Sequence, residues 1–276
     1  MAKAIEKKIK NELSKMLESD REKYEKFFDA FGIQLKYGLY TDYGMHKDVL
    51  VDLLLFHTSQ DDKYVTLKEY TDAMTEEQKS IYYAAGESRK KIDMLPRVAS
   101  VKKKGYEILY LTDDVDEFAL KMLGKYADKE FKNVLDEALD ITSDDEKATV
   151  KEKNEKNEDL LKLLAEAIPE VNEVRFTASL ADHAACLTSE GELSAEMEKT
   201  LRKMPGAEGE LPKASIILEI NHSHPISDKL SLMMQNDKDA LKKYARIIYG
   251  SACLVSGIAI ENPSELSALI TELMVK

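Results

Sequence analysis

Residues 237–276 read DKDALKKYARIIYGSACLVSGIAIENPSELSALITELMVK, and the rest of the chain is organised around this stretch. Its first half carries apolar residues at alternating intervals of four and three, the period of a helix with one buried face. These residues are Leu241, Ala245, Ile248, Ala252, Val255 and Ala259. A neighbouring stripe consists of Ala240, Tyr244, Ile247, Leu254 and Ile258. Because the two stripes exceed the roughly 100° of surface that a helix buries against one core, we predict a long helix with two packing partners.

A second helix is predicted after Gly257, a residue typical of helix ends. Asn262, Pro263 and Glu265 suit its N-cap, first turn and third position. Its apolar edge consists of Leu266, Leu269, Ile270 and Leu273. Two copies of this helix pair would form a four-helix bundle and cover both stripes, which predicts homodimerisation. The periodicity leaves open the alternative that both stripes are buried inside one subunit.

Composition excludes several classes of function. The 276 residues carry a net charge of −12, which disfavours nucleic acid as a partner because a duplex binder needs a basic face. No window of about 18 apolar residues is present, so no membrane partner is expected. The N-terminus is charged rather than apolar, which argues against a secretory leader. The two cysteines, Cys186 and Cys253, lie far apart without a CxxC motif, so a cytoplasmic location is expected.

The pattern along the chain predicts a mixed α+β fold with two domains. Residues 1–129 divide into a helical unit (1–60), with a third helix over 39–56, and a small αβα unit (61–129) with strands over 79–84 and 107–112. The second domain, 130–276, has strands over 171–187 and 214–220 and ends in the helical dimerisation element. A charged run over 142–159 is interpreted as the solvated start of a helix, and residues 206–209 as a loop.

Signals for catalysis or a cofactor are poor. The chain has no GxGxxG, GxxxxGK[ST] or HExxH motif. His222 and His224 would share one face of a strand, but no third ligand is near, so a loop or packing role is favoured over a metal site. A hydrolase acting through either histidine stays a minor alternative. No cofactor or metal is expected in this chain.

Two surface features suit polypeptide binding. An acidic cluster of Asp113, Asp114, Asp116 and Glu117 precedes Phe118, although a helix N-terminus also favours acids through its dipole. A stripe at helical spacing, which we call the methionine stripe, consists of Leu193, Met197, Leu201 and Met204. Stripes of this kind adapt to varied partners, and the alternative is an ordinary core-facing helix.

The run Glu77-Gln-Lys-Ser-Ile-Tyr-Tyr-Ala-Ala-Gly-Glu-Ser88 resembles the middle domain of the heat shock protein 90 chaperone family. The similarity continues in order over 58–59, 67–70, 105–113, 116–118, 218–221, 224–225 and 252–263, so it covers essentially the whole chain. It implies the latter half of the middle domain followed by the C-terminal dimerisation domain. The absence of an acidic C-terminal tail favours the bacterial branch.

The resemblance also implies roles for individual residues. Glu117 and Phe118 match a client-contact site, and Leu193, Met197 and Leu201 match the amphipathic helix that faces clients. Two positions depart from the family pattern. Asp114 stands where a proline is usual, and Lys121 stands where a bacterial relative has a neutral polar residue, so both alter the local charge. The family's ATP-binding domain, with its ATP and Mg²⁺, and a nucleotide-contacting arginine are expected upstream, so this chain is not expected to be an enzyme alone.

The resulting hypothesis is a chaperone fragment that homodimerises and binds non-native client proteins. The alternative is a dimeric scaffold or adaptor that binds one fixed protein partner. Competition between unrelated unfolded proteins for one site separates the two, because a scaffold would bind a single partner.

Overall fold

A computed structural model describes residues 2–60, 63–139, 141–204 and 211–275. The chain divides into two compact units. Unit 1 comprises Met1–Arg89 and Gly105–Asn133, and unit 2 comprises Lys90–Lys104 and Val134–Lys276. The mixed α+β class is confirmed, and the predicted loop at 206–209 lies outside the described residues.

Unit 1 combines helices with one mixed sheet. Its helices are α1 (Ala2–Ser19), α2 (Arg21–Thr41), α3 (Lys47–Leu50), α4 (Leu67–Ala73) and α7 (Asp116–Leu123). Its strands are β1 (Leu55–Thr58), β2 (Tyr64–Thr66), β3 (Ile81–Ala85), β4 (Ile108–Leu111), β5 (Lys125–Tyr126) and β6 (Lys129–Asn133). The strand order is β2-β1-β4-β3-β6-β5, and β3 is parallel to both β4 and β6. The remaining pairs are antiparallel.

The predicted third helix over 39–56 is wrong in extent. α2 continues to Thr41, a short helix and a 3-10 turn follow, and Leu55–Thr58 is a strand. The run Leu53-Leu54-Leu55-Phe56 is wholly buried, and a short continuous apolar run does not distinguish a buried strand from a helix. Two buried tyrosine hydroxyls donate long-range hydrogen bonds in the core of unit 1. Tyr24 donates to the Leu53 carbonyl and Tyr70 to the Glu107 carbonyl, both at 2.5 Å.

Unit 2 begins in α5 (Arg89–Asp93), continues through α6 (Pro96–Lys103), and resumes after Val134. Its other helices are α8 (Asp144–Lys156), α9 (Glu158–Glu166), α10 (Ala195–Lys203), α11 (Pro225–Asn236), α12 (Lys238–Ser256) and α13 (Pro263–Met274). Its strands are β7 (Glu173–Thr177), β8 (Ala185–Glu190) and β9 (Ser215–Asn221), with β9 central, parallel to β7 and antiparallel to β8. The strand predicted over 171–187 is therefore two strands. The core lies between this sheet and α9, α11 and α12.

Local sequence signals account for the helix boundaries in unit 2. Ser143 and Glu146 form a capping box, so the charged run does begin a helix. Asp237 caps α12, and Gly257 ends it with φ +68°, a conformation that costs glycine little. The Asn262 side chain accepts from the Glu265 amide at 3.1 Å, which confirms the predicted start of α13.

Candidate functional site

The first stripe of α12 is largely a core element of unit 2. Leu241, Ala245, Ile248 and Ala252 are each at most 8% exposed and pack in the same cluster as β7, β8 and β9. Their partner is therefore the sheet of their own chain. Val255, the next residue of the stripe, is 39% exposed.

α13 packs on α12 through a glycine notch. A Cβ on Gly250 would lie 2.6 Å from the methyl groups of Leu266, so at this spacing of the two helices any larger residue would force the Leu266 side chain to move. Lys243 donates to both Glu272 carboxylate oxygens at 2.7 and 2.8 Å. The Arg246 guanidinium donates to Glu170, which raises the pKa of Arg246 through this hydrogen bond.

Apolar side chains stay uncovered on this helix pair. The exposed ones are Leu254 (67%), Val255 (39%), Ile270 (37%), Met274 (80%) and Val275 (80%), which we call the terminal apolar face. The half-buried ones are Tyr244, Ile258, Leu266, Leu269 and Leu273. None of the residues of α13 is fully buried. One face of α13 therefore packs on α12 and another is open.

The predicted client-contact residues of unit 1 are mostly covered. Phe118 is 8% exposed, and its ring centroid lies 5.3 Å from that of Tyr40 on α2. Glu117 is 4% exposed and accepts a hydrogen bond from the Asn133 amide at 3.1 Å. Lys121 is half-buried. Of the three, Lys121 is thus the most accessible.

Part of the acidic cluster beside Phe118 contacts a buried lysine, Lys36, that no sequence pattern singles out. Lys36 Nζ lies 2.6 Å from Asp116 Oδ1 and 2.8 Å from Asp113 Oδ2. It also lies 5.3 Å from the centre of the Phe56 ring. Burial lowers the pKa of Lys36, but the attraction of the two carboxylates outweighs it, so the pKa is raised overall. Burial raises the pKa of Asp116. Half of the predicted acidic rim is therefore an internal ion-pair cluster.

The methionine stripe lies along α10 and extends beyond both of its ends. Met197 is 6% exposed and anchors the helix, whereas Leu193, Leu201 and Met204 are half-buried. The helix begins where the Ser194 hydroxyl accepts from the Met197 amide at 3.0 Å. One residue of the stripe therefore faces the core and three stay partly accessible.

The two candidate histidines follow β9 instead of lying on a strand. His224 is the N-cap of α11, and its Nδ1 accepts from the Ile226 amide at 3.1 Å. Burial and the nearby Lys153 cation lower the pKa of His222. Within the described ranges no three His, Cys, Asp or Glu side chains converge as a metal site requires. No helix among the same residues is long and apolar enough to cross a bilayer.

A buried ion-pair network in unit 2 was missed at the sequence level. Glu219 on β9 is fully buried and accepts from Arg97 of α6 at 2.9 and 2.8 Å. It also accepts from Arg175 of β7 at 3.1 and 2.6 Å. Arg97 donates further to the carbonyls of Val134 and Asp136 at 3.3 and 2.7 Å. Arg97 and Glu219 are 122 positions apart in the sequence, so helix or strand periodicity cannot pair them.

The chain is similar over its whole length to known proteins. The family model described as Hsp90 protein matches residues 1–276. Chaperone protein HtpG from Clostridium acetobutylicum is 49% identical over 275 residues, which are 99% of this chain and 43% of that protein. The protein of the same name from Clostridium perfringens is 47% identical over 275 residues, with the same shares. That from Alkaliphilus oremlandii is 48% identical over 276 residues, 100% of this chain and 44% of that protein.

The chain thus spans less than half the length of the curated relatives it matches. The match nevertheless runs through both units, including the Ile81–Ala85 strand and the two terminal helices. On the family match over all 276 residues, the chain belongs to the Hsp90 protein family.

Proposed function

We propose that this chain is part of a chaperone that binds non-native polypeptides and that it dimerises through α12 and α13. The observation that carries the proposal is the terminal apolar face, whose residues stay exposed although Leu241, Ala245, Ile248 and Ala252 of α12 are buried in the core of their own chain. Several large apolar side chains exposed on one packed helix pair are typical of an interaction site. A second copy related by a two-fold axis would offer an identical face and so cover both.

The dimer is tested by the mass in solution, 31.2 kDa for one chain against twice that value. Leu254→Glu places a charge on the terminal apolar face and is expected to give the single-chain mass. Leu232→Glu is the matched control, because Leu232 is 56% exposed on α11, away from this face in sequence, and the substitution is the same. A dimer that persists in Leu254→Glu, or no dimer in the wild type, would contradict the proposal.

For the client surface we propose the accessible part of the methionine stripe, Leu193, Leu201 and Met204. Half-buried leucine and methionine side chains can rearrange around many apolar sequences, which suits a chaperone better than a fixed partner. Phe118 is 8% exposed and packs against Tyr40, so we do not expect its full ring to contact clients.

Binding of a fluorescently labelled, partly unfolded protein tests this surface. Leu201→Ser with Met204→Ser is expected to weaken binding at least several-fold at unchanged dimer mass, since interface leucines and methionines contribute through buried apolar area. Leu232→Ser serves as the control for loss of an exposed leucine. Unchanged affinity in the double variant would place the client surface elsewhere. Binding of one partner only, without competition from unrelated unfolded chains, would instead favour a scaffold.

A further inference from the structure

Strand β2 forms one end of the six-stranded sheet and has backbone groups that β1 does not satisfy. The carbonyl oxygen of Tyr64 accepts from Arg21 Nη2 at 2.7 Å. The amide of Thr66 donates to Glu69 Oε2 at 2.7 Å. Because neither partner belongs to β1, both groups point away from the sheet. Two side chains therefore occupy the places that the backbone of a further strand would take.

A groove of about 760 Å³ runs beside this edge. Its walls come from the end of α1, the start of α2, the 3-10 turn before β1, and the start of α4. The volume lies in the range of pockets that hold small ligands or short peptide segments. Leu17 and the ring of Tyr64 give the groove apolar surface, and its other lining side chains are polar or charged, so it suits an occupant with both kinds of group.

The charges of the groove point to a basic occupant. Arg21 donates to Glu25 at 2.9 Å and to Glu69 at 3.2 Å, so its one positive charge is shared between two carboxylates. Lys68 is paired with Asp72, which does not line the groove. If Arg21 moves aside, four carboxylates line the groove against two cations, Lys63 and Lys68, among the described residues. The carboxylates are those of Glu18, Glu25, Asp52 and Glu69.

Arg21 and Glu69 are exchangeable partners. Their side chains are 31% and 52% exposed, and ion pairs at this exposure contribute little because water competes for both charges. Their hydrogen bonds to Tyr64 and Thr66 can be replaced by equivalent ones from an incoming backbone. The bond from the Thr66 amide to Glu69 is one half of the capping box that starts α4, and the other half, from the Glu69 amide to Thr66 Oγ1, can stay in place when an incoming carbonyl replaces the first.

We propose that the β2 edge binds an extended polypeptide segment that carries an arginine or lysine. The segment adds as a seventh strand, donating an amide to the Tyr64 carbonyl and accepting from the Thr66 amide. Its basic side chain takes the place of Arg21 between Glu25 and Glu69, where an arginine can make charge-assisted bonds to both. The inference rests on the proposed function only in naming unfolded client chains as the source of such segments.

A ten-residue peptide of alternating threonine and arginine, with one tryptophan at its end, probes the site directly. The protein has no tryptophan, so fluorescence anisotropy reports on the peptide alone. Two twins serve as controls: one carries glutamate in place of arginine, and one carries the arginines on a backbone methylated at every nitrogen. Both are expected to bind at least about tenfold more weakly, because the first loses charge-assisted bonds and the second cannot donate to Tyr64.

Protein variants test the same contacts from the other side. The double variant Glu25→Gln, Glu69→Gln is expected to bind the arginine peptide more weakly. The control Glu22→Gln, Glu173→Gln removes the same charge at exposed positions outside the groove and is expected to bind the peptide as the wild type does. Arg21→Ala is expected to increase the affinity for the arginine peptide more than Lys26→Ala does, since Lys26→Ala changes the net charge equally but lies outside the groove. Equal binding of the methylated twin overturns strand addition. Equal effects of the paired variants overturn the site.

The two proposals fail separately. Loss of client binding in the Leu201→Ser, Met204→Ser variant with intact peptide binding leaves the β2 edge in place. Client binding without any binding of the arginine peptide overturns the edge site and leaves the proposed chaperone function intact.

Discussion

Replacing Glu219 by glutamine should be among the most damaging single-atom changes in unit 2. The carboxylate is fully buried and is the shared acceptor for Arg97, which is 2% exposed, and for Arg175. Glutamine has nearly the same size, but its amide group offers donors to guanidinium groups that need acceptors. Arg97 would then be a buried cation without a carboxylate.

The magnitude follows from the burial of both partners. Breaking a buried ion pair by removing one member costs about 3–5 kcal/mol, because the charge that stays behind has lost its solvation and its partner. Arg97→Met should cost less, since Glu219 keeps Arg175, whose side chain is 23% exposed. The double variant Arg97→Met, Glu219→Gln should be more stable than the sum of the single costs predicts, because it leaves no buried cation at position 97.

The cysteines supply an assay that reports on unit 2 alone. Cys186 lies opposite Glu219 in the β8–β9 register and is fully buried, and burial raises the pKa of its thiol to about 12. In a Cys253→Ala background, labelling of Cys186 at fixed pH therefore depends on opening of the sheet. A loss of 3–5 kcal/mol in opening free energy should speed labelling by roughly 150- to 4,000-fold when reclosing is faster than labelling.

A matched control is Glu173→Gln on β7, which makes the same chemical change at an exposed position of the same sheet. It should leave the labelling rate within about twofold, as expected of a surface substitution. A less than tenfold acceleration in Glu219→Gln, or strictly additive effects in the double variant, would refute the assigned role of the network.

Three further outcomes are expected. Lys36→Met should destabilise unit 1 by about 3–5 kcal/mol because Asp116 is left buried without its cation. The folded pKa of Lys36 is raised above 10.5, so its stabilising contribution is present below that pH and is lost as the pH rises beyond it. The unfolding free energies of wild type and variant, measured in urea melts, should therefore converge at alkaline pH. A difference that stays constant with pH would contradict the ion pair. Gly250→Ala should force the Leu266 side chain out of its present position, because the added methyl group would lie 2.6 Å from it, and should thereby loosen the packing of α13 on α12; faster amide exchange in α13 checks this, and unchanged exchange would show that the notch is not needed. Saturating ATP should leave the melting temperature of this chain unchanged, since residues 1–276 contain no glycine-rich phosphate motif, and an upward shift would reveal a nucleotide site.

Local signals predicted what depends on neighbours in sequence. The capping residue Asn262 and the terminal Gly257 each fix a helix boundary through contacts within a few positions, and both are identified by residue type and spacing, whereas Ser143 lies inside the charged run where only a helix start is predicted. The buried run at 53–56 could not be assigned, because four consecutive apolar residues suit the interior of either a strand or a helix.

The site residues depend on partners that lie far away in sequence. Phe118 has the composition of an exposed aromatic anchor beside acids, yet Tyr40 on α2 covers it. Asp113 and Asp116 form ion pairs with Lys36, which lies 77 positions before Asp113 in the sequence. A sequence pattern reports which residues could serve a binding surface, whereas the accessible subset is decided by tertiary contacts that no local period encodes.

α12 shows how this distinction decides an experiment. Its two stripes have the same period and similar composition, so Ala252 and Leu254 are equivalent candidates for a dimer interface in the sequence. Ala252 is 2% exposed in the core, however, whereas Leu254 is 67% exposed. A glutamate at Ala252 would be buried without a partner and would unfold unit 2, so a monomer obtained that way would report lost folding. A glutamate at Leu254 stays solvated in the single chain and is costly only where a second copy covers it. Dissociation of that variant, with Cys186 still protected from labelling, is therefore the outcome that only an interface on the terminal apolar face can produce.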